Sequence, residues 1–247
     1  MIGGITEVST IDYPGKPSIV LFLKGCNLNC PYCHNMALAR SPDAIETIPY
    51  EDVARVLLSD PGLPVEAITI SGGEPMATLT REGVQPDCNT IWHIMKVAKS
   101  KGLSVKVDTN GLYPSMLNTI TKEGIVDYVA MDVKTYPIVH EHENTRNSCK
   151  IYNLGHWKNL LMSMETLERR RIQGNIQYEI RTTCYPKCTN TRVVSAIARI
   201  VPDEVPYYLQ QYRRARGRGI APYQPEELSA LLESAQSAHP NTHMRGE

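Results

Sequence analysis

Three cysteines, Cys26, Cys30 and Cys33, stand in a CxxxCxxC spacing within Gly25-Cys26-Asn27-Leu28-Asn29-Cys30-Pro31-Tyr32-Cys33-His34-Asn35. The run follows an apolar stretch, Ser18-Ile19-Val20-Leu21-Phe22-Leu23-Lys24. Asn and Pro between the thiols oppose regular structure, so the thiols sit on a loop that curls round something. Three thiolates on one short loop can hold three irons of a cubane cluster, whereas a [4Fe–4S] cluster ordinarily takes four. A missing fourth ligand leaves one iron open to a substrate or cofactor, which separates a catalyst from an electron carrier. The competing chemistry is a structural zinc site made of Cys26, Cys30, Cys33 and His34. Adjacent Cys33 and His34 would strain tetrahedral ligation, and zinc would leave the other polar segments of the chain without a role.

Those segments recur after apolar runs. Ile70-Ser71-Gly72-Gly73-Glu74-Pro75 pairs two glycines, which let a backbone approach a ligand closely, with a carboxylate suited to an ammonium. Val107-Asp108-Thr109-Asn110-Gly111 offers hard oxygen donors for a cation or amine and also reads as a turn. Ala130-Met131-Asp132-Val133-Lys134 places Asp132 and Lys134 on one face by the two-residue strand period. In Glu179-Ile180-Arg181-Thr182-Thr183, Arg181 can grip a carboxylate through two parallel hydrogen bonds.

The elements that would position these groups alternate in type. Strands are expected at Ser18–Lys24, Ala67–Ser71, Leu103–Thr109, Val126–Val133, Ile176–Thr183 and Val205–Gln211. Helices are expected at Pro49–Ser59, Asn89–Lys101, Pro114–Glu123, Gly155–Arg171, Thr191–Ile200 and Pro225–Ala238. Pro114 and Pro225 suit first helical turns. Six strand–helix units imply an α/β fold with parallel strands, because parallel neighbours need crossover helices. At 247 residues the chain is short for eight units, so a partial six-unit (β/α)6 barrel is expected. One domain over 1–247 is expected, with an N-terminal extension (1–17), a core barrel (18–212) and a C-terminal segment (213–247). Barrel sites lie at the C-terminal strand ends, where the unusual polar residues cluster. Near-continuous apolar strands such as Ile19–Leu23 fit a sheet covered on both faces. Met76–Cys88 is long for a βα loop.

Zero formal net charge gives no electrostatic footprint for nucleic acid or an anionic membrane, and the basic run Arg213–Arg218 reads as a solvated loop. No apolar run approaches the roughly 20 residues of a bilayer span, and no signal peptide is visible. A cytoplasmic location is therefore expected. There, seven cysteines mean ligands, catalysis or chance rather than a disulfide framework.

The Cys26, Cys30, Tyr32, Cys33 loop together with Gly72-Gly73-Glu74-Pro75 resembles the radical S-adenosylmethionine (SAM) superfamily. Further segments, among them Gly3-Gly4-Ile5, Ser9–Gly15, Cys33-His34-Asn35, Asp127–Lys134, Arg181-Thr182-Thr183, Leu209-Gln210-Gln211 and Pro222–Leu228, resemble the activating proteins of anaerobic ribonucleoside-triphosphate reductase, relatives of pyruvate formate-lyase activating enzyme. The resemblance implies that Cys26, Cys30 and Cys33 bind a [4Fe–4S] cluster whose fourth iron is chelated by SAM. One electron, from a donor such as flavodoxin or ferredoxin, would break the sulfonium and give a 5′-deoxyadenosyl radical. That radical would take a hydrogen from a glycine of a large partner enzyme. The resemblance also assigns positions: Tyr32 near the adenine; Gly72, Gly73 and Glu74 at the SAM amino group; Asp132 and Lys134 at the ribose or carboxylate, with Arg181 nearby. Asp108, Thr109, the Ala130 carbonyl and Asp132 resemble a monovalent-cation site. Arg213 stands where related activases often carry a SAM-holding His. Cys88, Cys149, Cys184 and Cys188 are extra, and are expected to be unliganded thiols rather than a second cluster. Other radical SAM chemistry, on another protein or peptide or on a small molecule of the deazapurine type, is the alternative.

Overall fold

The alternation of side chains along the strands explains most of the architecture. The computed structural model describes residues 2–58, 64–81, 90–136, 149, 151–214 and 219–246. Its strands are β1 (Ile2–Ser9), β2 (Ser18–Leu23), β3 (Ala67–Gly72), β4 (Ser104–Thr109), β5 (Tyr128–Asp132), β6 (Gln177–Cys184), β7 (Tyr207–Gln211) and β8 (Thr242–Arg245). They form one sheet in chain order. β1 runs antiparallel to β2, and every later pair is parallel. The α-helices are α1 (Met36–Arg40), α2 (Tyr50–Leu58), α3 (Pro75–Arg81), α4 (Thr90–Ser100), α5 (Pro114–Lys122), α6 (Leu154–Ile172), α7 (Thr191–Ala198) and α8 (Pro225–Gln236).

The outer face of the sheet is apolar. Leu21, Ile68, Ile70, Val105, Val107, Val129, Ile180 and Leu209 are buried there in one core with the apolar stripes of α4, α5 and α7. The inner face is charged. Lys106 and Asp108 on β4, Asp132 on β5, Glu179 and Arg181 on β6 and Arg245 on β8 occupy matching positions in the strand registers. Side chains two strands apart touch there: Arg181 reaches Asp108 across β5, and Arg245 reaches Glu179 across β7. Such contacts need a concave face, so the sheet curls as a partial barrel. Tyr13, in the turn between β1 and β2, plugs this concavity against Tyr128, ring centroids 5.8 Å apart, beside Ala67 and Ala130.

The structure extends the expected architecture at both flanks. Residues 1–17 contribute β1, and 213–247 contribute α8 and β8, so the sheet carries strands beyond the six-unit core. β1 contains two glycines and β8 spans four residues, so neither gives a clear alternating signal. Two-sided burial holds for β2 and for Tyr128–Met131 of β5, whereas β4 and β6 alternate apolar with charged residues. Part of the expected long loop at Met76–Cys88 is the helix α3; residues 82–89 lie outside the described ones. Helix starts follow the local chemistry. Pro114 and Pro225 stand in first turns, and the Gln224–Glu227 capping box opens α8.

Candidate functional site

The three-cysteine loop leaves β2 through Gly25, which has a positive φ of 87°. Three contacts fasten this loop to its neighbours. The Glu74 N–H donates to the Gly25 carbonyl at 2.8 Å, Asn35 Nδ2 donates to the Gly72 carbonyl at 3.2 Å, and Asn110 Nδ2 donates to Asn27 Oδ1 at 2.8 Å. The paired glycines serve this approach. A Cβ on Gly72 would stand 2.2 Å from the Leu23 nitrogen, and one on Gly73 would stand 2.0 Å from the Gly25 oxygen. The close backbone neighbour in the structure is thus the cysteine loop itself.

Glu74 is almost wholly buried, and its carboxylate is turned into the protein. Oε1 accepts from Thr109 Oγ1 at 2.7 Å and the Met76 N–H at 3.1 Å, and Oε2 accepts from the Asn110 N–H at 2.7 Å. Burial pushes its pKa up to about 7 against these three bonds. Glu74 and Thr109 therefore clamp the ends of β3 and β4 together.

A cavity of about 500 Å³ opens at the C-terminal strand ends. It is lined by Cys26, Cys30, Tyr32 and Cys33, by Gly72, Gly73 and Glu74, by Asp108 and Thr109, and by Asp132, Lys134 and Arg181. Ala130 is not among its lining residues. A second hollow, about 630 Å³, lies at the opposite strand ends beside Asp127, Arg171 and Glu204, where none of the motif residues stands.

The cavity wall is a chain of ion pairs. Arg181 Nε donates to Asp132 Oδ1 at 2.7 Å, and Arg181 Nη1 lies 3.3 Å from Asp108 Oδ1. Lys134 Nζ bonds Asp132 Oδ2 at 3.1 Å, and Lys106 Nζ contacts Asp108 Oδ1 directly. Burial opposes both carboxylates, yet Arg181 and Lys134 together hold Asp132 down to about 2, and Arg181 with Lys106 lowers Asp108. Within this network three carboxylates (Asp108, Asp132, Glu179) meet four cations (Lys106, Lys134, Arg181, Arg245).

Tyr32 is buried against Tyr185, with ring centroids 5.0 Å apart, and Tyr185 packs edge-on against Tyr212 at 4.9 Å. Tyr152 was not foreseen from the sequence. Its hydroxyl accepts from the Lys134 N–H at 3.0 Å and lies 3.3 Å from the Asp132 carbonyl, fixing the backbone that carries both site residues. Lys106 and Arg245 were also missed. The two-residue period that joins Asp132 to Lys134 applies equally to Lys106 and Asp108; Arg245 sits on a strand too short to read. Arg213 is not among the lining residues; its Nη2 donates at 2.9 Å to the carbonyl of Gly246, which does line the cavity.

The extra cysteines do not behave as one group. Cys149 and Cys188 form a disulfide between loops that follow β5 and β6, correcting the expectation of thiols throughout. They are 39 residues apart in sequence, and Thr135 Oγ1 anchors the Cys188 carbonyl at 2.9 Å. Cys184, though close to Cys188 in sequence, is a buried free thiol on β6 whose pKa burial pushes up to about 12. Cys88 lies outside the described residues.

Cys26, Cys30 and Cys33 are free thiols facing one cavity. Among the described residues no three His, Cys, Asp or Glu side chains converge as the ligands of one metal ion would. Burial raises the pKa of Cys26, to about 11, and of Cys30. Both therefore favour the thiol until a metal replaces the proton.

Residues 20–170 match the family model described as the radical SAM superfamily, and the chain belongs to that superfamily. Such enzymes use SAM and a [4Fe–4S] cluster. Among its relatives is a protein of Methanocaldococcus jannaschii named as a candidate glycyl-radical enzyme activating enzyme, 35% identical over 213 residues, or 86% of this chain and 80% of the relative. The pyruvate formate-lyase-activating enzyme of Clostridium pasteurianum is 29% identical over 135 residues, covering 54% of this chain and 52% of that one. A radical SAM methyltransferase from Sphaerobacter thermophilus superposes with a TM-score of 0.67 at 11% identity, over 94% of this chain and 67% of that one, and so shares the fold. Among the described residues no helix is long and apolar enough to cross a membrane.

Proposed function

We propose that this enzyme activates a large glycyl-radical enzyme, with anaerobic ribonucleoside-triphosphate reductase as the partner. Cys26, Cys30 and Cys33 would hold a [4Fe–4S] cluster, leaving one iron for SAM. When bound, cluster and SAM supply one-electron cleavage of the sulfonium and a 5′-deoxyadenosyl radical, which takes one hydrogen atom from a partner glycine. The electron would come from flavodoxin or ferredoxin.

This chain's own residues bind and orient. The ion-paired wall at Asp132, Lys134 and Arg181 faces the cavity and suits the methionine carboxylate and ribose. The Gly72–Glu74 backbone, locked to Gly25, suits the methionine ammonium. Glu74 holds that turn through its three bonds. Tyr32 closes the cavity beside the Tyr185 turn, where the adenine would lie. We infer that residues 1–247 act as one radical SAM domain, because β1 and β8 from the two flanks join the same sheet, and that it works in the cytoplasm, where flavodoxin or ferredoxin can supply the electron.

The observation that carries the reading is three free cysteines, with no fourth among the described residues, lining the same cavity as the charged strand ends. The extent of similarity to the Methanocaldococcus relative supports an activase. The test incubates the reduced, cluster-loaded enzyme with SAM and the reductase and looks for a glycyl radical doublet by electron paramagnetic resonance. SAM cleavage without that signal would favour another protein, a peptide or a deazapurine-type small molecule as substrate.

A further inference from the structure

The resemblance points to a monovalent cation at Asp108, Thr109, Ala130 and Asp132, but in the structure each of these groups is already bonded within the protein. Asp108 Oδ1 is taken by Lys106 and Arg181, and Oδ2 accepts from Ser71 Oγ at 3.0 Å. Asp132 Oδ1 is taken by Arg181 and Oδ2 by Lys134. Thr109 Oγ1 donates to Glu74 and accepts from the Gly111 N–H at 3.1 Å. Ala130 lies inside β5, which is paired on both edges, so its carbonyl belongs to the ladder.

A metal ion would have to displace an ammonium or guanidinium that the chain itself holds in place. It would also add a positive charge beside Lys106, Lys134 and Arg181. Lys106 is 2% exposed, and among the described residues the only carboxylate it contacts is Asp108. Its charge is therefore built into the wall rather than drawn from solvent.

We propose that the Lys106 ammonium, with Arg181, is the resident cation of this site, and that the protein needs no sodium or potassium there. Lys106 acts as a positioning residue: it neutralises Asp108, which leaves Arg181 able to hold Asp132 at the cavity wall. Neutralising Lys106 would open the place that a monovalent ion could then fill.

The test compares thermal unfolding of the full chain in potassium chloride and in choline chloride at equal ionic strength, for the wild type, Lys106→Met and Lys106→Arg. The wild type and Lys106→Arg should unfold at the same temperature in both salts. Lys106→Met should be stabilised selectively by potassium, by about 4 °C once potassium is tenfold above its dissociation constant. Potassium-specific stabilisation of the wild type would overturn the proposal. So would a Lys106→Met variant as indifferent to potassium as the wild type. Where Lys106→Met does not fold in choline, Lys106→Gln replaces it, and folding rescued by potassium supports the proposal. SAM affinity of the cluster-loaded wild type should also agree within twofold between the two salts. The unfolding arm needs no SAM cleavage, so it stands or falls separately from the proposed activity.

Discussion

Removing the Arg245 guanidinium should destabilise the protein through Glu179. Glu179 is fully buried; Arg245 Nη1 and Nη2 bond its two oxygens at 2.7 and 3.0 Å, and Tyr128 Oη adds a third bond at 2.8 Å. The guanidinium also lies 3.7 Å from the Tyr208 ring centroid. Breaking a buried pair from one side costs about 3–5 kcal/mol. The Arg245 side chain is 36% exposed, so solvent screening reduces this to about 2–3 kcal/mol. The lost ring contact adds about 0.5 kcal/mol. At about 2–4 °C per kcal/mol for a chain of this size, Arg245→Gln should lower the unfolding midpoint by roughly 5–14 °C. The double variant Arg245→Gln/Glu179→Gln removes the stranded charge while keeping an acceptor for Tyr128, and should recover about 2 kcal/mol of the loss. Circular dichroism melts of all four proteins in the cycle provide the measurement. A single-variant loss under about 1 kcal/mol, or strict additivity in the double variant, would refute the argument that β8 is latched by this pair.

Three further outcomes are expected. Gly73→Ala, whose Cβ would stand 2.0 Å from the Gly25 oxygen, should lose more than half of its reconstituted iron at unchanged helix content; full iron loading would contradict the stapled turn. Asp132 is held down to about 2, so its contribution, on the order of 2 kcal/mol, is present above pH 4 and lost as the pH falls through 2. The stability gap between wild type and Asp132→Asn in denaturant titrations should shrink across that window. Alkylation under denaturing, non-reducing conditions should label Cys184 and spare Cys149 and Cys188, and Cys188→Ser should cost about 3 kcal/mol in oxidising buffer but little in reductant.

Strand positions were readable because their apolar outer faces repeat. Ser18–Leu23 and Ala67–Gly72 lie within a residue of the expected bounds. The cysteine loop and the polar segments at the strand ends were also legible, since their composition departs from that of the strands. What could not be read was pairing. Arg181 was expected to grip a ligand, but in the structure its Nε and Nη1 hold two aspartates on neighbouring strands. Glu74 reads as a ligand for an ammonium, and only the approach of the Asn110 turn shows where its oxygens go. The disulfide joins loops whose sequence distance carries no signal. Each of these depends on the curl of the sheet, which brings side chains from separate strands together after the individual elements form.

Hydrogen abstraction from a partner glycine can be followed by preparing anaerobic ribonucleoside-triphosphate reductase with α-deuterated glycine, incubating it with the reduced enzyme and SAM, and measuring deuterium in the 5′-deoxyadenosine formed. Deuterated 5′-deoxyadenosine should appear together with a radical on the partner, and neither should appear with Cys30→Ala. SAM cleavage that yields 5′-deoxyadenosine without deuterium, and no radical on the partner, would contradict abstraction from glycine.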